Sequence, residues 1–198
     1  MFLVAKQVLE EYYVPTKRYI EWMNRWVDDD GVMEAKEEQK WKNLCDWIMP
    51  YGEFPDAAAM HTFAYFCCVD IAEKMATELG YDDEAKHYAS LRERTIRAFH
   101  NRFYNAEERS YGKHGANVVA LRMGMPDGYQ AVALEALKRE LAEVDNHIIT
   151  GIIGTRYLFD VLCENGEVDL AYTIINRRSV PSFGYWIERG STTLWESW

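Results

Sequence analysis

Positive charge is in short supply: 22 Lys and Arg stand against 32 Asp and Glu, for a formal net charge of −10. Nucleic acid is not expected as a partner, because phosphate binding rests on clustered Lys and Arg that release counterions. The nearest approach to a basic cluster, Arg92, Arg94 and Arg97, falls at helical spacing beside Glu93 and reads as a solvated outer face. Cysteine is sparse too. Cys45, Cys67, Cys68 and Cys163 fit neither a zinc site nor a disulfide framework, so reduced and mostly buried thiols are expected. The 5 histidines are dispersed, with no His-x-x-x-His or Glu-x-x-His arrangement, so neither a metal nor a cofactor is expected. No run approaches the ~18 apolar residues of a membrane span, and the first residues lack the basic region and cleavage pattern of a signal peptide. The expectation is a chain that is soluble as it stands and does not cross a membrane, with its compartment left open. Strand signals are nearly absent.

Aromatic residues, by contrast, are plentiful: 7 Trp and 13 Tyr in 198 residues. Flat rings with polar edges are what pyranoses stack on, although most aromatics in any protein fill core space. The length suits one folded unit.

Apolar periodicity organises the chain as helices that are apolar nearly all round, each followed by one with a single apolar stripe. Residues 57–79 are of the first kind, with Asp56 as a plausible N-cap and Gly80 as a stop. Residues 82–103 are of the second kind, with Tyr88, Leu91, Ile96, Phe99 and Phe103 in the stripe. A shorter apolar stretch from Ala116 to Met125 is followed by a helix striped by Leu134, Leu137, Leu141 and Val144. A third round starts at Ile148, runs through Leu162, stops at Asn165-Gly166, and is covered by a short helix from Val168 to Ile175. Ahead of these, residues 2–27 read as helix interrupted near Pro15. The pattern predicts an all-α, layered arrangement in which inner helices touch protein on all sides and outer ones face water. An open solenoid makes the same alternation, but no consensus repeats at a fixed period.

The segment from Gly190 to Trp198 carries the chemistry: Gly-Ser-Thr-Thr-Leu-Trp-Glu-Ser-Trp. Thr193 and Glu196 stand at the spacing of a capping box, which predicts a helix start with Glu196 in its first turn between Trp195 and Trp198. The same placement offers a carboxylate beside sugar-stacking indoles. The positive end of a helix favours its charged form, which suits a base rather than an acid. The two readings are compatible. Asp70 and Asp160 fall in apolar stretches where a buried acid more often bonds a neighbour than performs catalysis, and Glu188-Arg189 reads as a surface pair.

This segment resembles the G-A-T-T-x-W-E-x-W signature of glycoside hydrolase family 78, the α-L-rhamnosidases, with Ser191 in place of Ala. Further similarities follow in the family's order. Cys45-Asp46-Trp47 resembles G-D-W, and the run from His147 to Thr155 resembles G-H-L-T-T-G-F-L-G-T. Glu164-Asn165-Gly166 with Asp169-Leu170-Ala171-Tyr172, and Pro181-Ser182-Phe183-Gly184-Tyr185, also match. The chain departs from the pattern at Cys45, at Trp186 and at Ala116-Asn117, where Gly, a smaller or aliphatic residue and Gln-Thr are usual.

The resemblance implies a partial (α/α)6 toroid of the six-hairpin glycosidase type, incomplete at both ends across residues 1–198. It implies inverting hydrolysis of terminal α-L-rhamnosides, with Glu196 as general base. Asp46, Trp47, His147 and Trp195 are the implied sugar-binding residues, and a rhamnose-containing oligosaccharide or glycoside is the implied partner. The family's acid-bearing segment, with Cys-Pro, Glu-Arg and Gly-Trp elements, has no match in residues 1–44. The chain by itself is therefore expected to be inactive and to need the flanking parts of its catalytic domain. A non-catalytic carbohydrate-binding or structural module, or a toroidal glycosidase of other specificity, are the alternatives.

Overall fold

The computed structural model describes residues 3–34 and 45–198, and among these there is no strand and eight α-helices. In order they are α1 (Leu3–Met23), α2 (Ala57–Leu79), α3 (Asp82–Phe103), α4 (Ala116–Met123), α5 (Tyr129–Glu143), α6 (Ile152–Glu164), α7 (Val168–Ile175) and α8 (Phe183–Glu188), with a 3-10 turn at Asn24–Trp26.

The expected alternation of helices is present. α2 packs on α1 and α3, α4 on α2 and α5, and α6 on α4 and α7. The inner layer is therefore α2, α4 and α6, and α3, α5 and α7 cover it. α4 buries every side chain except Arg122, because it has neighbours on three sides. α3 shows only Tyr88, Thr95, Ala98 and Phe99 as fully buried, which is the narrow stripe of an outer helix. One core cluster centres on Phe63, Phe99, Val118, Leu137, Ile148 and Leu158. A second, around Ile20, Met23, Tyr65, Val69 and Met75, joins α1 to α2. Each such side chain taken out of water contributes about 1.5–3 kcal/mol. α2 is less enclosed than its composition predicts, since Ala64 and Ile71 are exposed, Ile71 to 51 %.

The ends of α2 are as expected. The Asp56 carboxylate accepts the Ala59 N–H at 3.1 Å, and Gly80 closes the helix at φ 75°. Three other boundaries differ. α1 runs through Pro15 without a break, and both Pro15 and Glu11, one turn before it, are exposed residues. The expected start of that helix at residue 2 lies outside the described residues. α6 begins at Ile152; Ile148, Ile149 and Thr150 are instead a buried connection that crosses the core. The tail after Gly190 contains no helical residue, so the expected helix start around Glu196 is absent among the described residues.

Smaller expectations are corrected as well. Cys45, Cys67 and Cys68 are half-buried and Cys163 is exposed, all free. Asp160 is exposed and Asp70 pairs with Lys74 at 2.6 Å, so neither is a buried acid. Glu188 pairs with Arg178 at 2.9 Å, while Arg189 lies over the Tyr185 ring.

Candidate active site

The first turns of α6, the end of α7, α8 and the tail line an open-sided cavity of about 480 Å³, at which Leu194, Trp195 and Glu196 are exposed. α8 is a short helix capped by Ser182, whose hydroxyl accepts the Tyr185 N–H at 3.0 Å. It offers Phe183 and Trp186 to the interior. The tail folds back on it: the Ser191 N–H donates to the Trp186 carbonyl at 3.0 Å. Trp198 then stacks on Trp186 at 4.6 Å between ring centres and 18° between planes. Trp195 comes to 6.2 Å from Trp186. That seat leaves Leu194, Trp195 and Glu196 on the cavity wall, opposed to no helix of their own. Thr193 does not cap Glu196; its carbonyl accepts the Ser191 hydroxyl instead.

The remaining wall is Ile48 with Gly151, Ile152, Thr155 and Arg156 at the α6 N-terminus, and Phe159 and Ile175 further in. Glu196 is the single carboxylate and Arg156 the single cation among these lining residues. A largely apolar hollow of this size with a few polar groups at its rim suits a small ligand. Its aromatic and aliphatic walls suit the hydrophobic face of a sugar, and its carboxylate can take a proton from a bound water. No group of three or more His, Cys, Asp or Glu residues among those described could hold a metal ion.

The five residues anticipated for the site fall into three groups. Glu196 and Trp195 meet in the cavity. Trp47 is 53 % exposed and next to it in sequence, where Ile48 supplies the lining. Asp46 and His147 are not among the residues that line this cavity. Asp46 is 0 % exposed and accepts four backbone N–H groups, so no oxygen is left for a sugar hydroxyl. Burial raises its pKa, and the N–H groups of Gly154, Ile153, Trp47 and Gly151 oppose that rise. His147 donates from Nδ1 to the Val144 carbonyl at 2.9 Å, and its Nε2 faces the Ser179 hydroxyl at 2.7 Å. Both of its ring nitrogens are taken.

Ile48, Arg156 and Trp186 were not anticipated as lining residues. Arg156 directly follows the Gly154-Thr155 match, and its helical register was the available signal. Asn117, one of the departures from the family pattern, is a buried knot. Its side chain accepts the Tyr111 N–H at 3.0 Å and donates to the Gly112 carbonyl at 2.6 Å.

Helical hairpins in two layers, with an indole-lined cavity and a lone carboxylate at one end, are the make-up of an α/α-toroid glycosidase domain. Comparison with known proteins gives the family: residues 4–198 match the bacterial alpha-L-rhamnosidase 6 hairpin glycosidase domain, and the chain belongs to it. It is 37 % identical over 196 residues to an alpha-L-rhamnosidase of Streptomyces avermitilis, covering 98 % of this chain and 18 % of that protein. The crystal structure of the S. avermitilis alpha-L-rhamnosidase complexed with L-rhamnose superposes with a TM-score of 0.85 at 30 % identity, over 98 % of this chain and 18 % of that one. The alpha-L-rhamnosidase of Dictyoglumus thermophilum superposes with a TM-score of 0.84 at 30 % identity, over 98 % of this chain and 22 % of that one. The chain thus spans about a fifth of the length of these relatives, and its fold is part of an α/α toroid.

Proposed function

We propose that these residues form the base-bearing part of an inverting glycoside hydrolase that releases terminal α-L-rhamnose. The observation that carries the reading is the meeting of Glu196 and Trp195 on the wall of one apolar cavity. Rhamnose is a 6-deoxy hexose, so its methyl end gains from aliphatic walls such as Ile48, Ile152 and Leu194. Its ring face stacks on an indole, with Trp47 as a second platform. Glu196 takes a proton from water as the water oxygen attacks the anomeric carbon. The bond to the aglycone breaks, and the departing oxygen is protonated by a carboxylic acid roughly 6.5–9.5 Å from the base. That acid lies outside the described residues, as do the hairpins that complete the ring. The open strip on α2 at Ala64 and Ile71 supports such neighbours. With Glu196 as the single carboxylate of its cavity, the chain alone binds sugar without turnover.

The test uses the complete reading frame that contains these residues, assayed on an aryl α-L-rhamnoside. The first sugar released has the opposite anomeric configuration by NMR, and Glu196→Gln lowers kcat by about 10²–10⁴. Hydrolysis that survives Glu196→Gln, or retention of configuration, refutes the assignment. Stronger competition by an aryl glucoside than by L-rhamnose favours a toroidal glycosidase of other specificity.

A further inference from the structure

The buried Asp46 has no role in the proton transfers above, yet it accepts four backbone hydrogen bonds, three of them from across the chain. Its Oδ1 accepts the N–H groups of Trp47 at 2.9 Å and Ile153 at 2.8 Å, and its Oδ2 those of Gly151 and Gly154, both at 3.0 Å. The Ile152 N–H then donates to the Trp47 carbonyl at 2.9 Å. The amides at the start of α6 thus have partners supplied from a loop more than a hundred residues earlier in the chain, and the fit is tight. A Cβ on Gly151 would lie 2.2 Å from the Trp47 carbonyl oxygen and 2.6 Å from Asp46 Oδ1, and one on Gly154 would lie 2.9 Å from Asp46 Oδ2. Within the same turn Ile48 sits at φ 58°, a left-handed conformation that β-branched residues rarely adopt, and its side chain lines the cavity. Strain of this kind persists where surrounding contacts over-determine the backbone, and the Asp46 bonds on one side and the Trp47 bond on the other do that here.

We infer that Asp46 is a positioning residue, a clamp that holds the Trp47–Ile48 turn against the start of α6 and thereby shapes the cavity wall that receives the sugar. Glu196 reaches the cavity from the tail seated on α8, which the clamp does not touch. Loosening the clamp therefore weakens sugar binding and leaves the base in place. This rests on the functional reading above.

Asp46→Asn is the informative change, because its amide turns one acceptor oxygen into a donor that faces two backbone N–H groups whichever way it lies. In the complete protein it raises KM for an aryl α-L-rhamnoside at least tenfold with kcat within threefold. Thr62→Val is the control: it removes an equally buried hydrogen bond, from the Met33 N–H at 3.0 Å, on the other side of the fold. Its KM stays within twofold. Equal shifts in both variants, or an unchanged KM in Asp46→Asn, overturn the clamp. Should Asp46→Asn fail to fold, Gly154→Ala replaces it: its Cβ lies 2.9 Å from Asp46 Oδ2 and the residue does not line the cavity, so KM rises with kcat held, and an unchanged KM overturns the inference. A complete protein without rhamnosidase turnover refutes the functional reading by itself. The clamp is then read from amide exchange in Asp46→Asn, where Gly151, Ile153 and Gly154 lose protection and the α2 amides keep theirs. Uniform loss across both overturns it.

Discussion

Glu140 on α5 is a buried acid whose charge the fold does not accommodate, and this makes stability depend on pH. Its Oε1 accepts the His114 N–H at 2.6 Å, but its Oε2 is buried without a hydrogen-bond partner. Only 7 % of the residue is exposed. Burial pushes its pKa up from 4.5 to about 7; the His114 N–H and Lys113 pull the other way, and Glu143 adds to the rise. A folded-state pKa above the unfolded one means that the native chain holds a proton the unfolded chain has released. Stability from this group is complete below pH ~4.5 and is lost as pH climbs through about 7. Between about pH 5.5 and 8.5 the loss is on the order of 2 kcal/mol, which lowers Tm by roughly 4–8 °C for a chain of this size. Glu140→Gln keeps an acceptor for His114 and has no charge to bury. Thermal unfolding followed by circular dichroism across that range gives a falling Tm for the wild type and a flatter curve for the variant, the two meeting near the acid end. Parallel curves refute the argument, since the ionised side chain would then have found solvent or a partner in the folded state.

Three further substitutions test the seat of the tail and the two ends of α4. Trp186→Ala removes the ring on which Trp198 stacks, from a site 6 % exposed. It costs about 3–5 kcal/mol by urea unfolding, and in the complete protein it abolishes rhamnoside hydrolysis, because the Glu196 segment loses its support. Gly115→Ala places a Cβ 3.3 Å from Thr150 Cγ2 at φ 107° and costs about 1–3 kcal/mol. Gly124→Ala, at φ 78° with nothing within 4 Å, shows a smaller drop in urea midpoint.

What could be read from the sequence and what could not divide along the range of the interactions. The hairpin alternation was legible because a helix repeats every ~3.6 residues, so a window of a few turns already reports how many of its faces are covered. Asp56 and Gly80 were legible for the same reason, each satisfying backbone groups within four residues of itself. Pro15 was misread as a break because its effect depends on which side of α1 faces water, and that is decided by α2. Ile148 to Thr150 were misread as helix because an apolar run is equally suited to a buried connection. Local periodicity does not separate the two, whereas the Asp46 carboxylate at the Gly151 N–H does.

The same division explains the site. Glu196 and Trp195 are neighbours in sequence, so their motif carried them into the cavity together. Asp46 was recognised by its own motif, and residue type alone left two uses open: a hydrogen-bonding carboxylate can hold a sugar hydroxyl or a backbone amide. Its bond to the Gly151 N–H spans 105 positions, and that amide was invisible until the start of α6 had been placed. An acid that its motif assigns to a sugar hydroxyl can instead be bonded to the backbone of its own fold. The number of backbone N–H groups it already serves decides between the two.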